Sequence, residues 1–155
     1  MKIKILCFGK LDKNFFAEAF NDYSKRISKF VDLEVIELKE EFVGEETKNA
    51  EVNSKYLIEK LEKLRDYQVV VLDVKSKQVS SEQVAQIIAD NKNYKSGKLV
   101  FTVGPSDGYS QTFLNKYSQK ISLGSITLPH QLFRVILAEQ IYRGLKIINN
   151  EKYHK

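Results

Sequence analysis

Short apolar segments alternate with amphipathic segments along the whole chain. Five apolar segments have the length and composition of strands, and they cover residues 2–9, 32–40, 67–74, 98–104 and 121–128. Three of them are nearly continuous apolar runs, as expected for strands that are covered on both faces. The segments between them place apolar residues three and four apart, which predicts helices. The predicted helices cover residues 13–29 and 46–64, short stretches after Ser80-Ser81 and after Ser110, and about 129–149.

Strand and helix alternate five times in this pattern. Such an alternation predicts an α/β fold in which a parallel sheet carries helices on both faces. No internal repeat, low-complexity tract or Pro/Gly-rich linker interrupts it. The length of 155 residues suits one compact domain. We therefore expect a single domain over residues 1–155.

The last predicted helix carries more apolar residues than one buried face requires. Its apolar face consists of Leu132, Phe133, Ile136, Leu137, Ile141, Leu145 and Ile148, widened by Val135, Ala138 and Tyr142. A surface helix needs an apolar arc of only about 100°. A homodimer interface and a central position in the core of the monomer explain the surplus equally well. On the same helix, Glu139 and Arg143 have the spacing and order of a surface ion pair.

The composition narrows the class of protein but does not identify a partner. Hydrophobic residues make up 43% and charged residues 29% of the chain, which is typical of a globular protein. No apolar run is long enough to span a bilayer, and we read the first residues as a strand and not as a signal peptide. The one cysteine, Cys7, excludes an intrachain disulfide and fits a reducing cytoplasm; we expect a buried thiol and not a reactive one. The net charge of +5 permits RNA binding without requiring it.

Several common catalytic and binding motifs are missing. The chain has no G-x-G-x-x-G dinucleotide fingerprint, no phosphate loop and no G-x-S-x-G nucleophile elbow. Its cysteine and histidines do not have metal-ligand spacing, so we expect no metal site. Any catalytic or binding site must therefore use a less common set of residues.

Three loops are the best candidates for a ligand site, because ligands of parallel sheets bind beyond the carboxyl ends of the strands. They follow Leu72-Asp73 and Val103-Gly104 and lie around residues 123–128. Gly104 either lets the backbone approach a flat ligand or serves a tight turn. Asp73 either contacts a ribose or a charged ligand, or caps a helix. His130 begins the last helix, where a positive imidazolium is disfavoured, so we expect it to be neutral and structural.

The chain ends on Tyr153, His154 and Lys155, directly after the long last helix. A tyrosine stacks on bases, a histidine titrates near neutral pH, and a lysine contacts phosphate. A frayed end is the alternative for such a terminus. The absence of a glycine-rich break between helix and tail favours a functional role.

The loops and the tail together resemble the RlmH family, the ribosomal RNA large subunit methyltransferases H of the SPOUT superfamily. The resemblance rests on the segments M-K-I-K-I-L-C-F-G-K, V-G-x-x-x-G, S-L-G-S-I-T-L-P-H-Q, R-V-I-L-A-E-Q-I-Y-R and the closing Y-H-K, and it covers the whole chain. It implies a SPOUT-type α/β domain with a C-terminal trefoil knot, a feature that general folding rules would not predict. It also implies a homodimer without a membrane or metal partner.

The resemblance further implies a reaction and its residues. The family uses S-adenosylmethionine to methylate N3 of a pseudouridine in 23S rRNA on assembled ribosomes. The implied cofactor-binding residues are Leu72, Gly104, Leu123, Gly124, Ser125, Ile126, Thr127 and Leu128. Tyr153, His154 and Arg143 are the implied catalytic residues, and Arg134, Arg143, His154 and Lys155 the implied RNA-binding residues. Pro105 stands where relatives often have a second glycine. Because proline has no backbone N–H, this position offers no backbone donor to the cofactor.

Two other classes of function remain compatible with parts of the sequence. A ribosome- or RNA-binding module without catalysis would use the basic charge and the aromatic tail equally well, but it would bind no cofactor. A small flavodoxin-like carrier would bind flavin, so the purified protein would be coloured. Neither class requires the segment 123–130 and the tail 153–155 together.

Overall fold

The apolar segments form one five-stranded sheet in a computed structural model that describes residues 1–155. The strands are β1 (Lys2–Phe8), β2 (Asp32–Leu38), β3 (Gln68–Leu72), β4 (Lys98–Val103) and β5 (Lys120–Ile121). The helices are α1 (Asn14–Ile27), α2 (Glu46–Leu61), α3 (Ser81–Tyr94), α4 (Gln111–Lys116) and α5 (His130–Ile148). All strand pairs are parallel, and the strand order is β2-β1-β4-β3-β5. The predicted parallel α/β fold is confirmed.

Helices cover both faces of this sheet, because side chains alternate between the two faces along each strand. On one face, Phe101 belongs to a core cluster that includes Phe20 of α1, Val84 of α3 and Leu137 of α5. On the other face, Val100 packs in a smaller cluster with Leu57 and Leu61 of α2 and Phe113 of α4. The central strands are therefore buried from both sides, as their continuous apolar runs predict.

Helix α5 lies between α1 and α3 and packs against both. It buries Leu137, Ala138, Ile141 and Leu145, each at most 3% exposed. Gly144 allows the close approach to α3, since a Cβ at this position would lie 3.2 Å from Cδ1 of Ile88. A central position thus accounts for much of the apolar surplus of α5. Leu132, Phe133, Val135 and Ile136 stay only half-buried, so the homodimer interface remains a prediction.

The predicted fifth strand is wrong after Ile121. Strand β5 has two residues, Ser122 adds only an isolated bridge to Gln78, and the segment 123–128 is irregular. Where the strand ends, the hydroxyl of Ser122 donates to the carbonyl oxygen of Gly124 at 2.8 Å and accepts from the N–H of the same glycine at 3.2 Å. Gly124 has φ of +149°, a conformation that side chains rarely adopt. Whether this segment threads a trefoil knot also remains a prediction.

Cys7 is 1% exposed, which confirms that this thiol is a buried one. Burial is the main reason that the pKa of its thiol rises to about 11, so the group carries no thiolate near neutral pH. No helix of the chain combines the length and the apolar character that crossing a membrane requires.

Candidate functional site

The ends of three neighbouring strands form the floor of a cavity. Leu72, the last residue of β3, pairs with Val103 of β4 on one side and with Ile121 of β5 on the other. The loops that follow these residues enclose about 350 Å³. This is the edge of the sheet where the sequence predicts a ligand site.

Seven of the eight predicted cofactor-binding residues line this cavity. They are Leu72, Gly104, Leu123, Gly124, Ile126, Thr127 and Leu128. Ser125 is exposed and is absent from the lining. Residues that are separated along the chain by up to two helices thus meet at one site, where apolar side chains and irregular backbone suit a flat, partly polar ligand.

A second, larger depression lies beside this cavity. It has a volume of about 590 Å³ and runs between α2 and the segment 107–112. Its lining includes Glu46, Glu51, Lys55 and Asp107, with few apolar residues. We expect a small organic ligand in the smaller cavity, because a larger share of its lining residues is apolar.

Gly104 is a glycine because of a neighbouring ring of the same chain. A Cβ at this position would lie 2.8 Å from Cζ of Tyr109. The Tyr109 hydroxyl lies 3.0 Å from the carbonyl oxygens of both Leu72 and Thr102 and shares its one proton between them, which ties the ends of β3 and β4 together. The Tyr109 ring also stacks on Phe113 with the ring centres 4.7 Å apart. Burial raises the pKa of the Tyr109 phenol, so it remains a donor at all physiological pH values.

Tyr109 is not among the residues that the sequence predicts for the site. The residue follows Gly108, which has φ of +83° and whose N–H bonds the carbonyl oxygen of Pro105 at 3.0 Å. This tight turn brings the ring back beneath Gly104. The available signal was Gly104 and Gly108, which bracket a turn directly after an apolar strand. They predict the turn but not that the next side chain, Tyr109, packs against Gly104.

Asp73 shapes the first loop of the cavity. One of its carboxylate oxygens accepts the N–H of Lys75 at 3.2 Å, and the other accepts the hydroxyl of Ser76 at 2.9 Å. Its own N–H donates to the carbonyl oxygen of Ile121 at 2.9 Å. The carboxylate therefore holds a turn, although it also lines the cavity.

His130 lines the cavity from the first turn of α5. Burial lowers the pKa of its imidazole, with the nearby Arg134 acting in the same direction and Glu40 opposing it. The predicted neutral form is therefore favoured.

Arg134 does not have the exposure that RNA binding requires. It is 3% exposed, and its guanidinium donates to Oε2 of Glu37 at 2.6 Å and to the carbonyl oxygens of Phe8 and Gly9 at 3.1 and 2.9 Å. These contacts attach α5 to the ends of β1 and β2. We correct the expected role accordingly: Arg134 supports the fold, because its donors are occupied inside the chain.

The tail packs against the outside of α5 and α3. The Tyr153 ring meets the edge of Tyr142 at 4.8 Å, and its hydroxyl donates to Oε1 of Glu139 at 3.1 Å. The guanidinium of Arg143 lies 4.6 Å from the centre of the Tyr153 ring. Burial, followed by hydrogen bonds with Tyr23 and Glu139, raises the pKa of Tyr153 to about 12, so the phenol is neutral near pH 7. The end of the chain is thus held and not frayed.

Arg143 connects the remaining groups of the tail. Its guanidinium forms the predicted ion pair with Glu139, with Nη2 and Nε at 2.5 and 2.9 Å from Oε1. Nη1 lies 3.4 Å from Nδ1 of His154, and Nε2 of that histidine lies 2.9 Å from Oε1 of Glu82. Lys155 is exposed.

The structure does not bring the tail and the cavity together within one chain. None of Arg143, Tyr153, His154 and Lys155 lines the cavity. A site that uses both must combine them across two chains or after a movement of the tail. No group of three or more His, Cys, Asp or Glu side chains is placed to hold a metal ion.

Comparison with known proteins shows which family the chain belongs to. Residues 1–154 match the profile of a family described as "Predicted SPOUT methyltransferase". The chain belongs to this SPOUT methyltransferase family. It is 60% identical, over the full length of both chains, to the ribosomal RNA large subunit methyltransferase H of Mycoplasma capricolum. It is 57% identical over the full length to the enzyme of that name from Mesoplasma florum, and 41% identical over 99% of both chains to that from Caldicellulosiruptor saccharolyticus.

Proposed function

We propose that this chain is an S-adenosylmethionine-dependent methyltransferase that methylates N3 of a pseudouridine in 23S rRNA on assembled ribosomes. The observation that carries the proposal is the cavity beyond β3, β4 and β5, which collects seven of the eight residues expected to bind the cofactor. Full-length similarity to methyltransferases of the large ribosomal subunit RNA supports the substrate class. Because the substrate is the ribosome, we place the reaction in the cytoplasm.

The residues of the cavity fit a nucleoside with an amino acid side chain. Leu72, Leu123 and Leu128 provide apolar surface for a base, and the irregular backbone at Gly104 and 122–128 offers N–H and C=O groups for its edge. S-adenosylmethionine, when bound, supplies a methyl group that is already activated on a sulfonium. The chain then has to orient the target base, exclude water and remove the N3 proton.

The tail residues are suited to these remaining tasks. Tyr153 offers a neutral phenol ring that stacks on or hydrogen-bonds to the target base. His154 takes the N3 proton as a base, or else Arg143 stabilises the charge that develops on the oxygens of the ring. Lys155 is exposed and free to meet a phosphate.

A homodimer would unite the tail with the cavity. The cavity and the tail are separate within one chain, and the half-buried apolar residues of α5 provide surface for a second copy. We propose that the tail of one subunit completes the cofactor cavity of the other. Mixing a His154→Gln subunit with a Gly104→Val subunit tests this arrangement, since only a shared site would recover activity in the mixed dimer.

The first experiment is the transfer of labelled methyl from S-adenosylmethionine to ribosomes that lack the modification. Intact ribosomes and free 23S rRNA are compared, and the product nucleoside is identified. We expect 3-methylpseudouridine on intact ribosomes alone. Cofactor binding without transfer would direct the search to another RNA, and absence of both would favour the non-catalytic RNA-binding module.

The contribution of the tail is tested separately with His154→Gln. We expect this variant to bind S-adenosylmethionine with unchanged affinity but to lose about a hundredfold or more in turnover. Full turnover would remove the tail from the mechanism.

A further inference from the structure

The imidazole of His154 lies between two helices, with a hydrogen-bond acceptor on one side and a hydrogen-bond donor on the other. Its Nε2 lies 2.9 Å from Oε1 of Glu82, in the first turn of α3. Its Nδ1 lies 3.4 Å from Nη1 of Arg143 on α5. The side chain of His154 is 28% exposed, so the ring is partly withdrawn from water in this position.

These two partners favour one tautomer of the neutral imidazole. A carboxylate only accepts hydrogen bonds and a guanidinium only donates them. Nε2 must therefore carry the proton, and Nδ1 must carry the lone pair. Because the contact of Arg143 with Nδ1 is long, and the guanidinium is already bonded twice to Glu139, Nδ1 is the less occupied nitrogen.

Glu82 lies in the first turn of α3, where the backbone is fixed by a cap, although its side chain is 62% exposed. It follows Ser80, whose side chain caps α3 in a capping box with Gln83. The pKa of the Glu82 carboxyl falls to about 2, first because of a hydrogen bond from its own backbone N–H and then because of His154 and Ser80. The carboxylate is thus ionised at any pH at which the protein works. Its position at the positive end of the helix adds to this preference.

We propose that Glu82 is a positioning residue for the reaction, which holds the imidazole of His154 with Nε2 protonated and leaves Nδ1, the nitrogen that faces Arg143, unprotonated and able to accept a proton. The inference rests on the proposed function, because it assigns His154 to methyl transfer. No motif of the sequence points to Glu82, which lies on the surface of α3 and is distant from the tail along the chain.

In this arrangement each bond and proton of the methyl transfer is accounted for. As N3 of the target base forms its bond to the methyl carbon, the bond between that carbon and sulfur breaks and sulfur keeps the electron pair. The N3 proton moves to Nδ1 of His154, which becomes an imidazolium. The carboxylate of Glu82, in hydrogen-bond contact with Nε2, stabilises the new positive charge on the imidazolium and takes no proton itself. Besides Glu82, the charged group in contact with the ring is Arg143 of α5, whose guanidinium is bonded to Glu139.

The test compares Glu82→Ala, Glu82→Gln and Glu46→Ala with the parent protein. Glu46 is a matched control, because it is an exposed glutamate in the first turn of α2 with no assigned role. We expect Glu82→Ala to lower kcat at least tenfold, with the affinity for S-adenosylmethionine and the KM for ribosomes unchanged. Glu82→Gln should retain part of the activity, because its amide oxygen still accepts the Nε2 proton but carries no charge. Glu46→Ala should match the parent.

A second readout does not depend on catalysis. The chain has two histidines, so the imidazole N–H proton of His154 is assignable by NMR with the His154→Gln variant as reference. Protected from exchange by Glu82, this proton should be visible in the parent and in Glu82→Gln, and lost in Glu82→Ala. An active parent with equal kcat and an equal N–H signal in Glu82→Ala would overturn the role of Glu82. A parent that transfers no methyl group to ribosomes would instead overturn the proposed function.

Discussion

Two arginines of α5 show how differently the two ends of this helix are built. Arg134, near the cavity at the ends of the strands, is buried and bonded to a carboxylate and two backbone carbonyls. Arg143, near the tail, is partly exposed and bonded to side chains alone, of Glu139 and His154. The cavity end is therefore fixed by backbone and buried contacts. The tail end is held by side-chain contacts that a substrate or a partner can exchange.

The largest expected difference separates these two arginines. Arg134→Met leaves Glu37 and two carbonyl oxygens without their donor, so we expect the free energy of unfolding to fall by about 3 kcal/mol. Arg143→Met loses a helical ion pair and should lower it by about 1 kcal/mol or less, while lowering methyl transfer at least tenfold. Urea unfolding measures the loss of stability in each variant, and methyl transfer to ribosomes measures the loss of activity. Equal losses of stability would contradict the distinction between the two ends.

The next largest effect concerns the fit of Gly104 against Tyr109. Gly104→Ala forces the new Cβ against the ring, which should destabilise the protein by about 1–3 kcal/mol and weaken cofactor binding. Tyr109→Leu removes the ring. Gly104→Ala should therefore destabilise the Tyr109→Leu variant less than it destabilises the parent protein. A double-mutant cycle by urea unfolding checks this coupling. Strict additivity would show that the two residues do not interact.

A smaller effect compares one hydroxyl from each region. Tyr109→Phe removes the donor shared by the carbonyls of Leu72 and Thr102, and should cost about 1 kcal/mol of stability. Tyr153→Phe removes a bond to the side chain of Glu139 and should cost about half as much. Thermal unfolding of the two variants gives the comparison. A greater loss for Tyr153→Phe would mean that the tail is part of the folding core.

The smallest expected effect is the pH dependence of the tail contact. The pKa of Glu82 in the folded protein, about 2, lies below its ordinary value of 4.5. Its contribution to stability is thus fully present above about pH 4.5 and is lost as the pH falls toward 2. Urea unfolding of the parent and of Glu82→Gln across this range should show a difference that disappears at the acidic end. A difference that persists at pH 2 would mean that the charge of Glu82 is not its source.

The local pattern of apolar residues predicts most strands and helices correctly, but it does not predict where the last strand ends. The apolar runs of β1, β3 and β4 and the spacing of apolar residues in α5 report directly on which faces are buried. The run 121–128 looked like a strand for the same reason. It is irregular because Ser122 and Gly124 close a small turn, and beyond Ile121 the only pairing is an isolated bridge between Ser122 and Gln78.

The sequence by itself determined the alternation of strands and helices and, through the positions of the strand ends, where a ligand site would lie. Its resemblance to a family named the residues at that site. Only the tertiary structure decided that Tyr109 fills the space beside Gly104, that Arg134 is internal and that Glu82 meets His154. Hydrophobic periodicity tells which face of an element is buried, but it does not tell which distant side chain will meet it. That choice depends on how separate elements pack, and it exists only in the folded chain.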